Sequence, residues 1–102
     1  MFNFLKKKIK SESYKFSLPK ETICFTCEHV FDERKDILYV SHDIDGDWQF
    51  MCGESNHEPE NGKLICLEHA IKLDSTLNEI AEIPLGYVAE RKKRGEKWEI
   101  YK

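Results

Sequence analysis

An α+β domain, with an antiparallel sheet of four to six strands and two short helices inserted before a C-terminal hairpin, is the fold this sequence predicts. Three observations carry it. "ILYVSHD" and "WQFMCG" are β-branched and aromatic runs with period-two alternation on either side of Asp45-Gly46. "LICLEHAIKLDSTLNEIAEIP" then shows helical spacing, and "GYVAERK" and "KWEIY" alternate again around a turn at Gly95.

Residues 1–20 read as a basic appendage and 21–102 as the single domain. In the appendage Phe2, Leu5 and Ile9 can share a helical face, Lys8 interrupts it, and Pro19 marks the boundary. Asp45-Gly46 is the dipeptide of a two-residue type I′ turn, whose central residues both need positive φ. That register sets Asp43 opposite Trp48, Ser41 opposite Phe50 and Tyr39 opposite Cys52, and leaves His42, opposite Gln49, as an exposed strand residue. Asp43, Asp45, Asp47 and Glu54 have the spacing of an EF-hand calcium loop. Trp48 stands where that loop needs glycine, and the flanks are strands where it needs helices, so the aspartates read as turn formers and solvated charges.

"SNHEPENGK" is a polar loop. Leu64–Cys66 is read as a short buried strand, and Leu67, Ala70 and Ile71 as the buried face of a helix. Asp74 or Ser75 caps a second helix that buries Leu77, Ile80 and Ala81 and ends near Pro84. Gly86–Lys92 is the next strand, and in the last one Trp98 and Ile100 share a face.

Charge is segregated along the chain. Met1–Lys20 has six lysines against Glu12 alone, Glu21–Ala89 has four basic against fifteen acidic residues, and Glu90–Lys102 has six basic against three acidic. An acidic body argues against nucleic acid as the ligand and favours encounter with a basic protein. The apolar start followed by lysines is the reverse of a secretory signal, and no apolar run nears the ~20 residues of a membrane span. A cytoplasmic location follows, in which the four cysteines are thiols or metal ligands.

"DGDWQFMCGES", the helical "LEHAIKLDSTLNEIAEIP", "PLGYVAER" and the closing "EKWEIY" fall in an order that resembles the immunity-protein-33-like domain, a bacterial family of unknown function. The resemblance covers about residues 36–101 and rests on Asp47, Trp48, Phe50, Gly53, Glu54, Asp74, Leu77, Pro84, Gly86 and Arg91. It implies a small non-catalytic α+β protein that binds a protein partner such as a toxin. Contact residues for such a partner would be Asp43, Asp45, Asp47, Trp48 and Arg91. Each has a structural reading beside it. Trp48 and Phe50 suit a core, Gly86 a bulge or close packing, and Arg91 either pairs with an acid of the "DIDGD" turn or keeps the sheet edge charged.

The cysteines lie largely outside that pattern. "CFTCEH" places Cys24 and Cys27 at the spacing of a zinc knuckle, and "CGESNH" offers Cys52 and His57 as the other half. A structural zinc site of Cys24, Cys27, Cys52 and His57 is thus spelled out, and His29, Cys66 or His69 could take the place of the fourth ligand. The competing reading is four unliganded thiols, Cys66 behaving as a small hydrophobe among Leu64, Ile65 and Leu67. No nucleophile elbow, phosphate loop or His-Glu-x-x-His motif occurs, and nothing in the sequence argues for an enzyme.

Overall fold

Alternation along "ICFT" builds the first strand. β1 (Ile23–Thr26) turns Cys24 and Thr26 inward and Ile23 and Phe25 outward. The structure, a computed structural model, describes residues 14–54 and 62–102. The elements after β1 are α1 (Glu28–Phe31), β2 (Tyr39–His42), β3 (Trp48–Met51), β4 (Lys63–Cys66), α2 (Leu67–Leu73), a 3-10 helix (Ser75–Ile80), β5 (Tyr87–Glu90) and β6 (Glu99–Tyr101). Together they form one α+β domain with a six-stranded sheet ordered β4-β1-β3-β2-β5-β6.

The sheet is mixed, and here the expectation of an antiparallel sheet is corrected. β1 runs parallel to β3, with Phe25 beside Gln49 and Thr26 beside Phe50, while the other neighbours are antiparallel. Two parallel neighbours need a crossover connection rather than a hairpin. The chain makes it through α1 and β2.

The β2–β3 turn has three residues, Ile44–Gly46, closed by Asp43 N–H to Asp47 O (2.8 Å) and Gly46 N–H to Asp43 O (2.8 Å). Among its residues Gly46 alone has positive φ, 99°. This is the type I turn with a glycine bulge, not the two-residue type I′ turn. The extra residue moves the register by one, so that Val40 faces Phe50 and His42 faces Trp48. Directly paired residues share a sheet face, so this register unites the apolar residues of both strands, whereas the expected one set Phe50 against Ser41.

The inward face of the sheet is covered by α2 and the 3-10 helix. Phe50, Val40, Leu67, Ala70, Leu77 and Ile80 form the centre of the core, each essentially without exposure. Asp74 caps the 3-10 helix by accepting from Thr76 N–H (3.0 Å), as expected. The segment read as an appendage contributes to the core in its described part, because Phe16 is buried with its ring edge-on to Trp48 (4.9 Å between centroids). Residues 1–13 lie outside the described residues. β4 is an edge strand that buries Ile65 and exposes Leu64. Trp98 is buried and Ile100 is half exposed. No helix among the described residues is long and apolar enough to cross a membrane.

Arg91 lies in the interior, away from the "DIDGD" turn. Its guanidinium donates to Asp74 Oδ2 (2.6 Å), Thr76 Oγ1 (2.9 Å) and Ile37 O (2.9 Å) and stacks over the Trp98 ring at 4.0 Å. The other Asp74 oxygen accepts from Thr76 and lies 3.6 Å from Arg94 Nε. Both members of this buried pair therefore have their hydrogen bonds filled, the condition under which an internal ion pair is tolerated.

Candidate metal centre

The parallel pairing decides what meets at one end of the sheet. Two parallel neighbours leave the sheet at the same end, so the residues after β1 and after β3 come side by side. Those residues are Cys27 and Cys52. Cys27 is still extended (φ −108°, ψ 165°) and leads into α1, whose first turn carries His29. The donor atoms of Cys27, His29 and Cys52 all lie within 4.8 Å of one another, near enough to hold one metal ion.

Local structure fixes each of the three. Val30 anchors α1 in the core, so His29 is carried on a turn whose next residue is buried. Arg34 adopts positive φ (56°), and Lys35 N–H reaches back to His29 O (3.0 Å), closing the loop on the histidine backbone. On the other strand Leu38 N–H donates to Met51 O (2.9 Å), holding the ladder up to Cys52. Gly53 then turns the chain with φ 89°, in the left-handed region that glycine enters without steric cost. Lys35 and Glu54 form a half-exposed ion pair (3.7 Å) that ties the two loops together.

Within the group, His29 Nδ1 is 3.5 Å from Cys52 Sγ. A sulfur and a nitrogen sharing a tetrahedral zinc, at about 2.3 and 2.05 Å from it, stand roughly 3.6 Å apart. Burial pushes the Cys52 thiol up, a backbone hydrogen bond from Glu54 opposes that, and the neighbouring Cys27 raises it further. An amide donating to a cysteine sulfur across a Cys-Gly turn is a means of stabilising a thiolate ligand.

Of the four expected ligands, the structure brings Cys27 and Cys52 together. His57 lies outside the described residues. Cys24 is not in the group; it faces the core from the middle of β1, its Sγ 3.8 Å from Thr22 O, and burial pushes its thiol up to about 12. The third donor is His29, and the sequence signal for it is the Cys-x-His spacing of "CEH". Cys66 and His69 stand apart from the group: Cys66 is half-buried on β4, and exposed His69 packs against the Phe31 ring.

The expected contact residues divide in two. Trp48 is 3% exposed, packed between His42 (4.1 Å, stacked) and Phe50 (6.0 Å, stacked), and Arg91 is buried as described. His42 is not the exposed strand residue expected, since its Nδ1–H also donates to Ile83 O (2.8 Å). Asp43 is engaged by Ser41 Oγ (3.0 Å) and Gln49 Nε2 (2.8 Å), and Asp45 accepts from Asp47 N–H (3.1 Å), the turn-forming roles read from the sequence. Asp45 and Asp47 remain at the surface.

Fold and site define a small α+β domain with a thiol–imidazole donor group at the open end of a parallel strand pair. Comparisons of the chain with protein-family models, with curated proteins and with solved structures find no match.

Proposed function

We propose that the protein is a metal-stabilised structural domain in which Cys27, His29 and Cys52 bind one zinc ion and clamp β1 and α1 to the end of β3. The observation that supports this reading is the convergence of three donor atoms within 4.8 Å from two segments 23 residues apart in sequence. Two sulfurs and one imidazole nitrogen favour zinc over the oxygen-seeking magnesium and calcium. Because the site exists only when the two strands pair, its binding energy adds to folding energy. Titration of the metal-free protein with Co²⁺ tests it. Cobalt bound by thiolates gives a sulfur-to-metal absorption in the near ultraviolet; Cys27→Ser, His29→Ala and Cys52→Ser should each weaken it, while Cys24→Ser leaves it unchanged. A spectrum that survives both cysteine changes contradicts the assignment.

A second reading, a module that binds a basic protein such as a toxin, has a separate observation in its favour. At the tip of the β2–β3 turn Ile44 is 81% exposed, beside the surface carboxylates Asp45 and Asp47. It packs near Gly86 (3.5 Å to an added Cβ), whose neighbour Leu85 is also exposed. An apolar knob rimmed by acids suits a basic surface, in line with the immunity-type resemblance of residues 36–101. On this reading a basic protein encoded beside it co-purifies with the chain, and both added salt and Ile44→Asp weaken retention. Retention indifferent to both counts against it.

A further inference from the structure

We propose that the Cys27–His29–Cys52 centre is also a peroxide-responsive switch, in which oxidation joins Cys27 to Cys52 and releases the metal. The inference rests on the zinc reading above and adds a regulation to it.

Geometry supplies the first argument. Adjacent strands lie about 4.8 Å apart and rise about 3.3 Å per residue, so residues one step out of register on parallel neighbours have α-carbons roughly 6 Å apart, a span that disulfides bridge. Thr26 is level with Phe50, so Cys27 and Cys52 are one step apart, and both lie just past the ends of their strands, where the alternation of faces no longer holds their side chains on opposite sides. Their sulfurs are already within 4.8 Å, so bond formation needs side-chain rotation and no change in strand pairing.

Selectivity and access supply the second. Cys24 faces the core from β1, and Cys66 on the neighbouring β4 is level with Ile23, at the opposite end of β1 from Cys27, so neither competes with the pair. Cys27 and Cys52 are 2% and 4% exposed, so the oxidant has to be as small as hydrogen peroxide; half-buried His29 and the exposed Gly53 and Glu54 are the neighbours that lie toward solvent.

The chemistry balances with a hydroperoxide as oxidant. One zinc-bound thiolate attacks the O–O bond, which breaks to give a sulfenic acid and hydroxide. The second thiolate attacks that sulfur and expels another hydroxide, forming the S–S bond. Two thiolates lose two electrons, peroxide accepts them, and the two hydroxides take up protons from solvent. With both sulfurs neutralised His29 is the one donor left in the group among the described residues, too few to retain zinc, and the ion leaves as a hydrated dication. The disulfide keeps β1 joined to β3 while α1 is released from the clamp.

The test uses the full chain, both zinc-loaded and metal-free, exposed to a small excess of hydrogen peroxide. Released zinc is read with a chromogenic chelator, and cross-linked peptides are mapped by mass spectrometry without reduction. The expected result is one zinc released per Cys27–Cys52 disulfide, reversal by dithiothreitol with zinc present, and the same behaviour in Cys24→Ser. Zinc binding without a Cys27–Cys52 disulfide overturns the switch and leaves the metal reading standing. A Cys27–Cys52 disulfide in protein that takes up no zinc overturns the metal reading, and with it the switch. Release accompanied by sulfinic acids, or by a bridge to Cys24 or Cys66, also overturns it.

Discussion

The two polar centres of the molecule differ in what completes them. Around Arg91 and Asp74 the chain supplies both charges, and each guanidinium nitrogen and carboxylate oxygen meets a partner from the protein itself. At Cys27, His29 and Cys52 it gathers three Lewis-basic atoms close enough together to hold a metal ion. The first centre should therefore hold under any solution condition that leaves its charges intact. The second should respond to chelators and oxidants.

The largest expected effect lies at the first centre. Arg91→Ala leaves the buried Asp74 carboxylate with only the half-exposed Arg94 at 3.6 Å as a cation and should cost about 3 kcal/mol, the low end for a broken buried pair. Urea denaturation should show the same loss with and without chelator, and a loss that depends on metal would mean that the two centres are coupled. Next in size is the metal itself. Zinc at a hundred times its dissociation constant should raise the unfolding free energy by about 2.7 kcal/mol in wild-type protein and by nothing in Cys52→Ser; a shift that persists in Cys52→Ser would place binding elsewhere.

Gly53→Ala probes the turn that follows Cys52. An added Cβ would meet Leu38 Cβ at 3.5 Å, an ordinary contact, so the cost comes from φ 89° alone, about 1–2 kcal/mol. Zinc affinity should fall with it, because the turn after Cys52 is displaced, and unchanged affinity would show that the turn does not position the sulfur.

The smallest effect concerns Cys24. Its folded-state pKa is raised to about 12 from the ordinary 9.0 by burial first and then by the charges of Cys66 and Asp47. A raised thiol pKa contributes stability that is whole below the unfolded value and is lost as pH climbs through the folded one. Stability should therefore fall above pH 9 more steeply in wild-type protein than in Cys24→Ala, as urea midpoints across that range would show. Equal slopes would contradict it.

How far these features can be read from sequence depends on whether the signal is local. The β2–β3 hairpin, α2, the 3-10 helix with its Asp74 cap, and the final hairpin each announce themselves through alternation, helical spacing or a turn dipeptide. The hairpin register differs from the expected one by a single residue because Asp-Gly serves both two- and three-residue turns. The pairing of Val40 with Phe50 is what decides between them. β1 escapes a reading by pattern because "ICFT" is four residues long and its parallel partner is reached through a crossover that carries no turn signature. The spacing of Cys24 and Cys27 suggests a shared metal, whereas in an extended strand residues three apart point to opposite faces. Arg91 reads as a partner of the "DIDGD" turn or as an edge charge, because its actual acid lies 17 residues away, on an element that local pattern does not connect to β5.

Whether Cys27 and Cys52 hold a metal is decided by the zinc content of tag-free protein, measured by elemental analysis and native mass spectrometry after zinc loading and removal of excess ion. Wild-type protein and Cys24→Ser should each hold one zinc per chain, and Cys27→Ser or Cys52→Ser none. No zinc in wild-type protein, or one zinc persisting when both Cys27 and Cys52 are serine, would contradict the assignment.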